Sequence, residues 1–302
     1  MSISNAEKLR DAAVGFQELF RERFSALIGS SLSEMACMRA NSAGSEEVYA
    51  WLAELPAVKE WVDERQVANM RAEGYTLRNL KWESTISVGA DEIEDDKLDI
   101  IKPRVSNLAE QAAAHYDRLM TQRLVAGFTD LCYDGQALIS AAHPRADGGA
   151  AQSNTLGAVD LTAANFNTAW SRMASFVDDH GQPLGIVPTH LMYGPAKRAQ
   201  AMSILVANDV SDGTTTVSNI NRGVVQGIMN PYITGNSWYL MSLDRSVKPL
   251  ILQVRQSPEF VAMDDPTRSD EAFMRDRYLY GVKARHNVGY GMWQLIVGSS
   301  GA

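Results

Sequence analysis

Cysteine is nearly absent: the 302-residue chain has two, Cys37 and Cys132, far apart and in no C-x-x-C pair. That spacing excludes a disulfide framework and a cysteine-rich zinc site, and it fits a reducing compartment. No apolar run approaches the roughly 18 residues that a membrane helix needs. The first stretch, "MSISNAEKLRDAAVGFQELFRER", mixes acids and bases throughout and lacks the continuous apolar segment of a secretory signal. These absences predict a protein made and kept in the cytosol, with no membrane partner.

Positive charge is also in deficit. Lys and Arg number 28 against 36 Asp and Glu, for a formal net charge of −8. A general electrostatic hold on nucleic-acid phosphates is therefore not expected, and any such contact needs a local patch. Common cofactor signatures are missing too. No Gly-Lys pair exists to complete a Walker A loop, and neither G-x-G-x-x-G nor G-x-S-x-G occurs. The five histidines, His115, His143, His180, His190 and His286, include no H-x-x-x-H pair, so a zincin-type metal site has no support.

What is present is a globular composition, 45% hydrophobic and 21% charged, enough for a large core in one unit of two lobes. Residues 4–28 carry the clearest amphipathic helix: Leu9, Ala13, Phe16, Phe20, Phe24 and Leu27 recur at helical spacing, Ser4 and Glu7 form a capping box, and Gly29 is the stop. Its apolar stripe must be buried, either on its own domain or on a neighbouring subunit. Residues 43–88 read as an out-and-back excursion without an obvious core of its own. Within it, "YAWLAELPAVKEW" is too apolar for a loop and too polar for a core strand, and Pro56 is placed to start a short helix that Gly74 closes. "YTLRNLKWESTISV" then reads as extended, with Trp82, Ser84, Ile86 and Val88 on one side.

"ADEIEDDKLDIIKP" sets six carboxylates, Asp91, Glu92, Glu94, Asp95, Asp96 and Asp99, ahead of a long helix expected over 103–127 and opened by Pro103. Carboxylates there favour the helix dipole. As an EF-hand loop the run fails, with Ile93 at the third position, Asp96 at the sixth and Lys102 at the twelfth. Further helices are expected from Thr162 and from Pro195, and residues 208–223 read as an exposed mobile loop. Beyond them, "SWYLMSL", "PLILQVRQ", "EFVAM", "RDRYLYGVKARHNVGYG" and "MWQLIVGS" are strand-like segments separated by Gly, Pro and Asp. With no regular βαβ alternation the class is α+β.

Two constellations carry possible chemistry. Cys132, Asp134 and His143 are the nearest approach to a thiol, orienting carboxylate and base, although Cys132 also reads as a small buried apolar residue. Against the acidic total, Arg268, Arg275, Arg277, Lys283, Arg285 and His286 gather near the C-terminus. Strand alternation puts Arg277, Lys283 and Arg285 on one face, suited to nucleic acid or to the acidic 91–99 segment of a neighbour.

Four strings in order, "YAWLAELPAVKEW", "YTLRNLKWESTISVGADEIEDDKLDI", "GFTDLCYDGQALISAAHP" and "GQPLGIVPTHLMYGP", resemble the major head (capsid) protein family of Mu-like phages and prophages. The resemblance covers most of the chain up to about residue 200. It implies the Hong Kong 97-like capsid fold. Carried onto this chain, that fold has an N-terminal arm at 1–42, an E-loop hairpin at 43–82 and a peripheral (P) domain at 83–182 with its spine helix at 103–127. An axial (A) domain follows at 183–265, and P-domain strands return at 266–302.

The resemblance further implies a subunit without catalytic, cofactor or metal site. Such a subunit assembles with copies of itself, as hexamers and pentamers, into an icosahedral virion shell around double-stranded DNA. Assembly would take place in the host cytoplasm, with a separate scaffold protein, a portal and a decoration protein as further partners. Subunit contacts are then expected at Phe16, Phe20 and Phe24 of the arm and at Trp51, Leu55 and Trp61 of the E-loop. Charge pairing is expected between Asp95 or Asp96 and Arg277 or Arg285 of neighbours. Two alternatives stand beside this reading: a nanocompartment shell of the same fold, and a cysteine hydrolase using Cys132 and His143 with Asp134.

Overall fold

Two four-stranded sheets organise the chain, and each is assembled from segments distant in sequence. The computed structural model describes residues 5–50, 74–95, 97–145, 147–178, 180–211, 216–265 and 269–302. Its helices are α1 (Asn5–Ile28), α2 (Leu32–Ala36), α3 (Ala90–Glu94), α4 (Leu98–Ala126), α5 (Ala163–Ala174), α6 (Arg198–Leu205) and α7 (Asp270–Arg275). Its first strands are β1 (Cys37–Asn41), β2 (Glu46–Tyr49), β3 (Tyr75–Arg78), β4 (Leu80–Gly89), β5 (His190–Tyr193) and β6 (Asp209–Ser211). The others are β7 (Thr216–Ser218), β8 (Gln226–Met229), β9 (Trp238–Met241), β10 (Leu250–Met263), β11 (Arg277–Tyr290) and β12 (Ile296–Ser299). The mixture is α+β, as expected.

The first sheet runs β1-β10-β11-β4 and the second β12-β9-β5-β8. Neither follows the linear division drawn from the sequence: β10, from the 183–265 segment, lies in the first sheet, and β12, from 266–302, lies in the second. "PLILQVRQ" and "EFVAM" are one strand, not two. Pro258 falls where the β10–β11 register shifts, between Gln256 and Glu259, and such an irregularity tolerates a residue with no N–H to donate.

Along β11, Tyr278, Tyr280, Val282, Ala284 and His286 alternate inward and are buried. Helix α4 covers this face together with α1. Phe16 meets Tyr280 edge-on with ring centroids 5.3 Å apart, and Phe20 lies 5.8 Å from Phe260. The stripe of α1 therefore has its partner within the chain. Phe16 and Phe20 are each 3% exposed, which corrects the expectation that they wait for a neighbouring subunit. Their partners lie on α4, β10 and β11, too distant in sequence for periodicity to reveal.

Helix α4 is 29 residues long and has Pro103 inside it rather than at its start. At about 1.5 Å per residue it spans roughly 43 Å. In its second turn, Pro103 removes one intrahelical bond, to the carbonyl four residues back, while the earlier residues Leu98 to Lys102 still form helix. The 208–223 segment also differs from expectation. β6 pairs with β7, and the buried Asn219 amide donates to the carbonyls of Ser203, Ile204 and Ala207, closing the end of α6.

His286 sits in the layer between α4 and the sheet, 4.5 Å from Tyr116 and 5.2 Å from His115 by ring centroid. Both of its ring nitrogens are buried without a partner among the described residues. Burial, reinforced by His115, pushes its pKa from the ordinary 6.5 down to about 3. The folded state thus holds His286 neutral while the unfolded chain takes up a proton below pH 6.5, so this contribution is complete above 6.5 and is lost as pH falls toward 3. Denaturant titrations of wild type and His286→Phe at pH 7 and pH 5 should show wild type losing about 2 kcal/mol more than the variant on acidification. Equal losses would show that His286 is not held neutral.

Candidate assembly surfaces

The excursion leaves and rejoins the first sheet through a paired stem. β2 and β3 run antiparallel from Glu46 opposite Arg78 to Tyr49 opposite Tyr75. At its base the Glu47 carboxylate accepts from the Ser42 hydroxyl at 2.7 Å and from the N–H groups of Ala43 and Gly44 at 3.0 and 3.1 Å. The Asn79 amide donates to Ser42 Oγ and to the Gly44 carbonyl, closing the loop from the other side.

A buried glutamine ties this stem to the sheet. Gln253 of β10 donates to the Leu77 carbonyl at 3.0 Å and to Asn79 Oδ1 at 2.9 Å, and it accepts from Tyr49 Oη at 2.8 Å. Burial pushes the Tyr49 pKa up to about 12, so the hydroxyl stays a donor. Trp51, Leu55, Trp61 and the helix expected after Pro56 lie outside the described residues. Sequence reasoning missed Gln253, because a polar residue inside "LILQVRQ" reads as an interruption rather than as an anchor.

The expected charge contacts are mostly used inside the chain. Arg277 donates to Glu271 at 2.7 Å, and Arg275 pairs with the same carboxylate. Asp95 pairs with Lys97 at 2.8 Å, Asp99 with Lys102 at 2.8 Å and Glu92 with Arg104 at 3.5 Å. Asp96 lies outside the described residues. Gly89 stands opposite Arg277 and the Ala90 N–H donates to the Asp276 carbonyl, so the 91–99 segment and the start of β11 adjoin within one subunit. Arg285 is different: it faces Lys81 of β4 and has no carboxylate partner among the described residues. Phe24 is half-buried and stacks on Phe20 at 6.0 Å. Phe273 and Met274 of α7 are 85% and 74% exposed. They escaped sequence reasoning because a six-residue helix is too short to display a period.

Cys132, Asp134 and His143 do come together, but in the wrong order for thiol catalysis. The Cys132 thiol donates to Asp134 Oδ1 at 3.0 Å, and Asp134 Oδ2 lies 2.6 Å from His143 Nδ1. His143 Nε2 meets Asn154 Oδ1 at 3.0 Å, and the Asn154 amide donates to the carbonyls of Leu138, Trp293 and Ile296, which fixes its orientation. Both imidazole nitrogens are engaged and neither serves the thiol. Burial, then the Asp134 charge, raise the Cys132 pKa well above the ordinary thiol range, so the nucleophilic thiolate is disfavoured. Burial also acts to raise the Asp134 pKa, but hydrogen bonds from His143 and Cys132 outweigh it and hold it below the usual range.

The ligand atoms of these three residues lie within 4.8 Å of one another, the spread of a metal site. The 2.6 Å gap between Nδ1 and Oδ2 suits a shared proton, however. Two ligands of one tetrahedral zinc stand about 3.3 Å apart at bond lengths near 2.0–2.1 Å. As placed, the group stitches a loop, with the His143 ring stacked 3.9 Å from Trp293.

The architecture agrees with a known family. The model of the Mu-like prophage major head subunit gpT matches residues 9–160, 152–233 and 234–302. The chain belongs to this family. It is 28% identical over 282 residues to the Mu-like prophage FluMu major head subunit of Haemophilus influenzae, covering 93% of this chain and 70% of that protein. It is 29% identical over 267 residues to the major capsid protein of Escherichia phage Mu, covering 87% of this chain and 65% of that protein. The chain thus spans 65 to 70% of the length of these curated relatives.

Among solved structures, the bacteriophage JBD30 procapsid aligns with a TM-score of 0.57 at 27% identity, over 95% of this chain and 74% of that one. The SrpI encapsulin of Synechococcus elongatus aligns at 0.53 and 8% identity, over 89% and 86% of the two chains, a likeness of fold alone. The fold of this head subunit is the Hong Kong 97-like capsid fold. Among the described residues no helix is long and apolar enough to cross a membrane.

For this head subunit, His143→Ala removes a fully buried ring with its stack and two hydrogen bonds, at an expected cost of about 3 kcal/mol. Cys132→Ala removes one thiol hydrogen bond and should cost about 1 kcal/mol. Thermal unfolding of both variants checks the ranking, and the reverse order would contradict the loop-stitching role.

Proposed function

We propose that this chain is the major capsid subunit of a Mu-like tailed phage, assembling as hexamers and pentamers into an icosahedral head around double-stranded DNA. Its work is structural, done by surfaces and without a catalytic or cofactor site. The observation that carries this reading is the family match running from residue 9 to residue 302. The rooted β2–β3 stem supports it locally: a ribbon fixed at its base on a buried sheet is suited to reach across a neighbour. In this assignment the ribbon over 43–82 is the E-loop, α4 is the spine, the first sheet with α1 and α4 is the P lobe, and the second sheet is the core of the A lobe.

Assembly takes place in the host cytoplasm, with a separate scaffold protein, a portal and a decoration protein. Contact with DNA is weak and non-specific, because a chain of net charge −8 lacks a general hold on phosphate. Many modest contacts repeated over a closed shell supply its collective stability. The nanocompartment reading shares the fold, but 8% identity to the encapsulin against 28 to 29% to the Mu-like head proteins favours the phage head.

Deletion of residues 50–62 separates folding from assembly. The shortened chain should keep its far-UV circular dichroism and thermal transition yet give no shells by sedimentation or negative-stain microscopy, where wild type expressed with its companion head proteins does. Normal shells from the deletion would remove the ribbon from the account. Only monomers or dimers of wild type under the same conditions would remove the capsid reading itself.

A further inference from the structure

The face of the first sheet turned away from α1 and α4 carries charge in rows set by strand register. Glu83, Lys283 and Glu259 form one row, alternating in sign, with Lys283 3.9 Å from Glu259. The next row is Lys81, Arg285 and Gln256, two cations directly opposite one another with no acid between them. Like charges so placed are unfavourable in an isolated sheet. Arg285 Nε is buried without a partner among the described residues. The acidic 91–99 segment, six carboxylates against one lysine, joins the opposite end of the same sheet, beside Arg277.

Arg277 and Arg285 stand eight residue steps apart along β11, about 27 Å at roughly 3.4 Å per residue. The subunit therefore has an acidic end and a basic corner that cannot meet within one chain. The ion pairs that Asp95 and Asp99 make locally are exposed and exchangeable.

We propose that the Lys81–Arg285 corner of one subunit receives the Asp91–Asp99 segment of a second copy. The contact joins two different surfaces, so each subunit offers one half to each of two neighbours. Repeated by rotation, such head-to-tail contacts close into rings, as capsomers require. The proposal rests on the capsid reading and adds to it a polarity and a pair of residues; Arg277, already held by Glu271, drops out.

A double variant, Lys81→Cys with Asp95→Cys, tests the contact in assembled particles. The native Cys37 and Cys132 are buried. A disulfide needs Cα atoms within about 7 Å, so the two new thiols cannot join inside one subunit. Oxidised particles should give a ladder of covalent oligomers on a non-reducing gel, with each single variant remaining below it. A monomer band alone from oxidised particles of the double variant would overturn the proposal.

Charge reversal supplies the second arm. Lys81→Glu with Arg285→Glu should lower particle yield about tenfold or more. Adding Asp91→Lys and Asp95→Lys should restore it. Unchanged yield after the first pair, or no recovery after the second in subunits with native circular dichroism, would also overturn it. Absence of particles from the unaltered chain would count instead against the capsid reading.

Discussion

The layer of side chains between the β10–β11 hairpin and helix α4 is the constraint on which the rest of the subunit depends. Tyr280, Phe260, Val282 and Tyr278 face Ile101, Val105 and Leu108, and Phe16 and Phe20 of α1 complete the layer. Burial of this many apolar groups fixes the long helix across the sheet. It also fixes what lies at the sheet's two ends. One end presents the β2–β3 stem through Gln253, and the other presents α3, α7 and the acidic segment. A shell subunit needs such a frame, because contacts with neighbours are useful only if their spacing does not drift.

The second sheet, with its strands β9 and β5 almost wholly buried, packs against α5 and α6 and shares one apolar core with Leu250, Leu252, Val288 and Tyr290 of the first sheet. The His143–Asn154–Trp293 cluster ties the loop after α4 to the turn that leads into β12, so its hydrogen bonds serve packing rather than chemistry. This explains how three chemically versatile residues, Cys132, Asp134 and His143, can lie together in a structural protein. Satisfied buried polar networks specify one packing arrangement and become costly if broken.

Much of this was legible in the sequence where the signal is local. The helix expected from Thr162 is present as α5, and the structure shows Thr162 capping it, its Oγ1 accepting from the Asn165 N–H at 3.2 Å. Alternation along "RDRYLYGVKAR" placed the inner and outer faces of β11 correctly. The failures share one cause, which is dependence on residues far away in the chain. Partners for Phe16 and Phe20, the role of Gln253 and the crossing of β10 and β12 between segments are long-range facts that periodicity cannot carry. Pro103 and Pro258 misled for a different reason: each was read as a boundary, but an early helical turn and an irregular register both absorb a missing N–H. For the candidate surfaces, the sequence identified Arg285 but not Lys81 opposite it, since cross-strand neighbours become visible only with register.

Hydrogen exchange on the unassembled subunit tests the central claim, that the frame is completed within one chain. Amides of α1 between Leu9 and Phe24 should be protected to a similar degree as those of α4, because both helices are held by the same buried layer. Exchange of α1 at the rate of an unstructured peptide, with protection gained only in shells, would contradict the account and return this helix to the surfaces that neighbours must cover.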